Sequence, residues 1–325
     1  MTDNKPKLHD VKLRIIKQLS DGYFHSGEGL GEQLGISRAA ISKHIKGIQE
    51  WGIDIYRVQG KGYQLSSPID LLDLDIIQSG SSVPVELFPV IDSTNQYLLD
   101  HINERPSGSV CIAEYQAQGR GRRGRQWASP FGSNLYFSMY WQLESGVAAA
   151  MGLSLAIGVA IVDALEGLGA EGLKLKWPND LYFEDKKLAG ILVEMSAQTG
   201  GVAHLVIGMG LNINMKVDGS TIDQPWANLN QVFTGDIPSR SEIVIALIEA
   251  WKQVLEQYEN QGMAGFVERW NELDNFKNKP IKLLIGHKEI QGIGKGINQQ
   301  GGILLETEQG LETYLGGEIS LRKVE

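Results

Sequence analysis

Nine consecutive residues, Gly119-Arg120-Gly121-Arg122-Arg123-Gly124-Arg125-Gln126-Trp127, set four guanidinium groups among three glycines in a chain of formal net charge −9. Arginine presents a fixed fork of donors that matches phosphate or carboxylate. Glycine lets the backbone approach a ligand closely and adopt positive φ. A segment built from both suits an anion clamp; a solvated basic loop or a nucleic-acid contact has the same composition. Two further polar stretches carry complementary groups. Asp92-Ser93-Thr94-Asn95 offers hydroxyls and an amide at a helix start, where they either cap the helix or grip a small polar head group. Lys176-Trp177-Pro178-Asn179-Asp180 and Lys187-Leu188-Ala189-Gly190 bring lysines, an amide and a carboxylate around a proline-stiffened turn, although Lys187 alone reads as a solvated strand-edge lysine.

Together these groups fit one reaction. A carboxylate that attacks the α-phosphate of ATP brings two anions together. The site must neutralise both and hold them in line, because positioning and charge stabilisation carry most of the catalysis in phosphoryl-type transfer. The arginines and a lysine supply that charge, and Asp180 is the candidate ligand for Mg2+, an oxygen-seeking ion. No nucleophilic side chain is required. The chain lacks a GxxxxGKS or GxxxxGKT phosphate loop. Its glycines also do not link a strand to a helix as in a dinucleotide fold.

The elements that must position these loops follow from apolar periodicity. Strands are expected over 85–90, 109–115, 135–141, 173–177, 180–183, 187–195 and 204–209, and helices over 92–102, 148–168, 241–261 and 265–273. Each polar loop follows an apolar strand, the usual place for a ligand. This alternation indicates an α+β or mixed α/β catalytic domain. Short strands with glycine turns at 281–285, 289–293, 302–306 and 313–315 read as a small β-barrel. Ahead of the catalytic region, helices over 8–20, 28–34 and 37–50 are followed by a hairpin around Gly60-Lys61-Gly62. The last two helices meet at Leu34-Gly35-Ile36, which fits a winged helix-turn-helix. Ser37, Arg38, Ser42, Lys43 and Lys46 fall on its outward face and Lys61 at the wing tip, the expected DNA contacts. A helical bundle used only for protein contacts is the other reading of this head. Gly29 and Gly31 inside the second helix cost about 1 kcal/mol each. Domains are expected over 1–66, 67–275 and 276–325.

Charge supports a separate role for the head. Residues 1–65 hold ten Lys and Arg against seven Asp and Glu, leaving 20 against 32 for the remainder. The acidic body excludes general nucleic-acid or membrane binding by the whole molecule. The single cysteine, Cys111, lies in an apolar run and reads as a core residue; one thiol forms no internal disulfide, in keeping with a reducing cytoplasm. Met1-Thr2-Asp3-Asn4-Lys5 lacks the apolar run of a secretory signal, and no uncharged apolar stretch reaches membrane-spanning length. The six histidines show no metal-ligand spacing.

GRGRRGRQW, preceded by DSTN and followed by KWPND, KLAGIL and GGEISLR, resembles the biotin–protein ligases. With the helix-turn-helix in front, the resemblance is to the bacterial bifunctional ligases that also repress biotin synthesis genes, and it spans essentially the whole chain. It implies activation of biotin with MgATP to biotinyl-5′-AMP, then transfer to one lysine of the biotin carboxyl carrier protein of acetyl-CoA carboxylase. It implies operator DNA as a second partner, a homodimer when adenylate-loaded, and an SH3-like form for the C-terminal barrel. By position, Ser93, Thr94, Asn95, Gln116, Gly119, Arg120, Gly121, Arg122, Lys187 and Gly190 would bind biotin. Arg120, Arg122, Arg125, Lys176, Asn179, Asn212 and Trp226 would face ATP or the adenylate. Lys187 and Arg122 would be catalytic and Asp180 would hold Mg2+. A non-catalytic metabolite-sensing transcription factor and a lipoate or octanoate ligase remain the alternatives; pyrophosphate release on adding biotin and ATP separates the first, competition by the free acids the second.

Overall fold

A computed structural model describes residues 6–144, 146, 150–197, 201–216, 222, 224–316 and 319–324. Two sequence expectations touch residues outside that set: the opening of the helix expected from Ala148, and Gly317-Glu318 of the GGEISLR motif.

The head consists of α1 (Pro6–Leu19), α2 (Gly27–Leu34), α3 (Arg38–Gln49) and an antiparallel hairpin of β1 (Ile55–Val58) and β2 (Gly62–Leu65). Ser26 caps α2 and Ser37 caps α3, each accepting a backbone N–H. Gly35 turns between them at φ 68°, a left-handed conformation that favours glycine. Gly31 is required there: a Cβ would sit 2.6 Å from the Ile36 carbonyl oxygen, so the two helices meet this closely only without a side chain. Ile15, Ile16, Leu19, Leu30, Ile41, Ile45 and Ile48 form the head's core.

The body is built on a seven-stranded sheet in the order β3-β4-β5-β9-β8-β7-β6. Its strands are β3 (Val85–Phe88), β4 (Val110–Ala113), β5 (Asn134–Leu143), β6 (Lys174–Lys176), β7 (Asp180–Phe183), β8 (Lys186–Ala197) and β9 (Ala203–Asn212). Only β3 and β4 run parallel; the other neighbours are antiparallel. One face carries α6 (Leu153–Gly167) and α7 (Arg240–Gln261), with α4 (Leu74–Gly80) and α8 (Val267–Leu273) alongside. The other face carries α5 (Thr94–Asp100) and the arginine loop. Among the described residues α6 begins at Leu153, later than the apolar run suggests. Gly152 stands before it at φ 86° and breaks the helical path.

The C-terminal unit is a five-stranded antiparallel sheet in the order β13-β12-β11-β10-β14. It comprises β10 (Pro280–Ile285), β11 (Lys288–Ile297), β12 (Ile303–Thr307), β13 (Gly310–Tyr314) and β14 (Ile319–Lys323). β14 was not anticipated from the sequence. Pairing between β13 and β14, which a closed barrel needs, is absent among the described residues. The unit is held to the body by Trp177, whose indole N–H donates to the Gly301 carbonyl at 3.0 Å. Lys323 adds an ion pair with Asp185 at 3.3 Å.

Candidate active site

Successive residues of a strand point to opposite faces, and β5 shows how this sheet divides its labour. Phe137 points into the helical layer, its ring centroid 4.7 Å from that of Trp251. Ser138 points to the other face, where its hydroxyl donates to Asn95 Oδ1 at 2.6 Å and lies 2.7 Å from Thr94 Oγ1. Gly208 and Gly210 of β9 pair with Ser138 and Tyr136, and Gly190 of β8 pairs with Gly210. A Cβ at Gly208 would strike Asn95, and one at Gly210 would strike the Trp127 ring. These glycines clear a floor on which α5 and the arginine loop come down.

Ser93, Thr94 and Asn95 are all buried at the start of α5. Ser93 does cap the helix, accepting from Gln96 N at 3.4 Å. Thr94 instead turns inward: its backbone N–H and hydroxyl both donate to Gln116 Oε1, at 3.0 and 3.1 Å. Gln116 Nε2 in turn donates to Ser129 Oγ at 3.1 Å. Neutral donors and acceptors therefore line one end of the site.

The arginine loop is an ordered hairpin. Gly121 N donates to Arg125 O at 2.7 Å, and Trp127 N to Gly119 O at 2.9 Å. Arg123 takes the left-handed turn at φ 60°. Arg122 Nη1 donates to Asn179 Oδ1 at 3.0 Å, and Arg123 Nη1 to Ser320 Oγ on β14 at 3.1 Å. The Trp127 indole N–H is buried and finds no hydrogen-bond partner among the described residues. Burial lowers the pKa of the Arg122 guanidinium, with Asp180 opposing that shift and Arg123 and Arg125 adding to it.

The β7–β8 hairpin sets Asp180 opposite Gly190. Lys187 Nζ lies 2.7 Å from Asp180 Oδ1 and 5.3 Å from the centre of the Trp127 ring. Lys176 is 5% exposed and donates to the Tyr182 hydroxyl at 2.9 Å. Burial brings its pKa down from 10.5 to about 8, although Asp180 pulls the other way. Asn212 Nδ2 reaches the carbonyl oxygens of Lys187 and Ala227 at 3.4 and 3.3 Å, tying the Trp226 segment to β8.

These groups share one open cavity of about 370 Å³. Every residue singled out from the sequence for biotin, ATP or metal lines it, apart from Gly119. Gly119 packs under the loop, where a Cβ would meet Ser129 Oγ at 2.5 Å. Among the described residues, seven cations (Arg120, Arg122, Arg123, Arg125, Lys176, Lys187 and Arg322) face one carboxylate, Asp180, across the lining. Ser138, Gly208, Gly210, Met215 and the β14 residues Ser320, Leu321 and Arg322 also line it, and the sequence reading missed their part. For β14 the signal was the quoted GGEISLR motif; for the glycines it was their alternation along β9.

On the head, Arg38, Lys43, Lys46 and Lys61 are exposed and Ser42 is half-buried. Ser37 is exposed, but its hydroxyl accepts the Ala40 N–H as the α3 cap.

Three family descriptions match successive parts of the chain: HTH domain at residues 11–64, Biotin/lipoate A/B protein ligase family at 87–212, and Biotin protein ligase C terminal domain at 277–322. A bifunctional ligase/repressor, BirA, of Salmonella typhimurium is 53% identical over 317 residues, covering 97% of this chain and 98% of that one. The protein of the same name from Escherichia coli is 52% identical, covering 98% and 99%. The chain belongs to this family of bifunctional biotin ligase/repressors. The family's ligase part is also visible in three dimensions. A biotin protein ligase from Aquifex aeolicus, solved in complex with biotin and ATP, superposes with a TM-score of 0.66 at 29% identity over 74% of this chain and 99% of that one.

Proposed function

We propose that this chain activates biotin with ATP to biotinyl-5′-AMP, transfers biotin to a lysine of the biotin carboxyl carrier protein, and represses biotin synthesis genes with the adenylate as corepressor. The observation that carries the reading is the cavity's two-part lining. Thr94, Gln116 and Ser138 form a neutral hydrogen-bonding end, and among the described residues seven cations stand against one carboxylate at the other. A ureido ring with a carboxylate tail, joined to a nucleotide, has that division of polarity.

In the first step a biotin carboxylate oxygen forms a bond to the α-phosphorus. The bond from that phosphorus to the bridging oxygen breaks, and pyrophosphate leaves with the electron pair. Lys187, beside Asp180, faces the carboxylate and the developing phosphorane charge. Arg120, Arg122 and Arg125 hold the phosphate oxygens, and Lys176 and Asn179 line the pyrophosphate side. Such charge must be in place before reaction, since fixed donors cost no reorganisation at the transition state. In the second step the acceptor amine attacks the acyl carbon, AMP departs, and the amine's proton is released. The Gly119–Trp127 hairpin shields the mixed anhydride from water until then. Gly190 lets the ligand lie against β8, and Trp226 packs beside the adenine with Asn212 behind it.

Asp180 would be the residue to help hold Mg2+, which would supply charge neutralisation at the ATP phosphates. Among the described residues, Asp180 is the sole carboxylate in the lining, and no cluster of three or more His, Cys, Asp or Glu stands ready for a metal. A site of one carboxylate plus substrate phosphates fits the way Mg2+ binds. The head, 1–66, binds operator DNA through Ser37, Arg38, Ser42, Lys43, Lys46 and Lys61. The adenylate-loaded chain acts there as a dimer in the cytoplasm. The body spans 67–275 and the C-terminal unit 276–325, the latter an SH3-like arrangement that is open between β13 and β14 among the described residues.

The test is a mass measurement. Incubation with biotin, MgATP and a carrier domain should add one biotinyl group to one lysine. Absence of transfer at saturating substrates removes the enzyme reading, and preferential transfer of lipoate or octanoate replaces its substrate. Gel retardation of operator DNA should strengthen when biotin and ATP are both present.

A further inference from the structure

Glu194 of β8 belongs to none of the motifs that drew attention to the site and does not line the cavity, yet it connects two of the cavity's walls. One of its oxygens, Oε2, accepts from Asn95 Nδ2 at 2.9 Å and from Arg120 Nη2 at 2.8 Å. These donors come from different elements: Asn95 from the start of α5, Arg120 from the first leg of the arginine hairpin. Asn95 is held rigidly on its other side by Ser138 and by contact with Gly208. Arg120 is paired through its backbone with Gln126, so holding Arg120 holds both legs of the hairpin.

We propose that Glu194 is a positioning residue, a latch that fixes the arginine hairpin to the biotin-head wall and sets how long the adenylate is retained. This rests on the ligase reading above. A hairpin cannot swing away from the sheet without separating Arg120 from Glu194. Arg122 and Arg123 are held at its tip, and Trp127 at the end of its second leg lies beside Lys187 and over Gly210. Glu194 anchors the first leg. A carboxylate suits the task because each donor gains from its charge, and because it offsets one arginine in a lining crowded with cations. The side chains of Arg120 and Glu194 are 37% and 26% exposed. The contact is therefore partly screened by water and can open in normal turnover.

The experiment measures release of radiolabelled biotinyl-5′-AMP from preformed complex, together with its rate of formation. Glu194→Ala should speed release on the order of tenfold, as expected for a charge-assisted contact discounted for exposure. Glu194→Gln, which keeps an acceptor without the charge, should fall between it and the parent. Arg120→Ala should speed release to a similar degree. The double variant should be no faster than the faster single one, because both remove one contact. Raising salt should shrink the difference between parent and Glu194→Ala. Unchanged release in Glu194→Ala, or additive effects in the double variant, overturns the latch. Failure of the parent protein to form any adenylate would instead sink the ligase reading, so the two outcomes are distinguishable. Thermal unfolding of each variant separates a lost latch from a damaged fold: release that accelerates only in step with a falling Tm also counts against it.

Discussion

Burial sets the Lys176 amine close to its tipping point, at about 8 against the usual 10.5. In the pH range from about 8 to 10.5 the unfolded chain keeps this proton and the folded chain does not, so folding stability rises with pH across that window. The proposed phosphate binding by Lys176 runs the opposite way, because it needs the charged amine. Affinity for ATP is expected to weaken above pH 8, by up to about tenfold per unit. Lys176→Met should flatten that profile and raise Tm at neutral pH by removing a desolvated charge. A profile equally steep in Lys176→Met assigns the titration elsewhere. In its proposed role Lys187 meets the reacting oxygens, and it is only partly buried beside Asp180. Lys187→Ala should slow adenylate formation by on the order of a hundredfold or more, the scale for losing a preorganised charge, and should leave Tm nearly unchanged. Single-turnover pyrophosphate release is the measurement, and a rate within twofold of the parent excludes the role.

At the scale of elements, two glycines in one short helix make opposite contributions. Gly31 faces the Ile36 carbonyl oxygen, which a Cβ would approach to 2.6 Å, so Gly31→Ala forces α2 and α3 apart. It should destabilise the head by about 1–3 kcal/mol and reduce operator binding. Gly29 has only the capping Ser26 hydroxyl nearby, at 3.2 Å, so Gly29→Ala should stay within about 1 kcal/mol of neutral. Circular dichroism melts of the two variants decide this. The sequence alone assigns both glycines the same cost, because propensity is local and the clash is tertiary. The same limit explains what could and could not be read at the site. Ser93, Gln116, Arg122 and Lys187 could be singled out because each sits in or beside a short polar stretch that interrupts the apolar pattern, and the cavity brings those stretches together. Ser138 and Gly208 were not, since a serine or glycine within a strand reveals its face only when its partner Asn95 is known. The helices and strands of the body emerged from periodicity. The start of α6 shifted because an apolar, small-residue run does not announce that Gly152 turns left-handed. β14 escaped because its alternating pattern is short and its neighbour in the sheet, β10, lies far away in sequence.

For the molecule as a whole, the question is how occupancy of the cavity could reach the head, and the covalent path is short. Trp127 lies over the site's glycine floor, and four residues later Phe131 is already inside the head's core. The Phe131 ring stacks on Trp51 with centroids 5.6 Å apart, and its N–H donates to the Trp51 carbonyl at 2.9 Å. Pro130 presses on Gly52, where a Cβ would come within 2.8 Å. The first residues of the body are anchored independently: buried Arg240 bonds Glu114 at 2.6 Å and takes the Asp70 carbonyl at 2.7 Å. A shift of the hairpin therefore has a packed aromatic contact to push against, while the linker remains fixed. Coupling between two sites is reciprocal in free energy, so removing that contact must weaken both directions equally. Trp51→Ala is expected to lower the enhancement of operator binding by biotin and ATP, and to lower by the same factor the effect of operator DNA on adenylate affinity. Loss of a buried tryptophan also costs about 3–5 kcal/mol of stability, so Trp51→Phe, which preserves a ring against Phe131, is the control and should retain most of the coupling. If Trp51→Ala remains folded and the enhancement by ligand is undiminished, the signal does not pass through this stack, and the linker anchored at Asp70 becomes the route to examine by substituting Glu114.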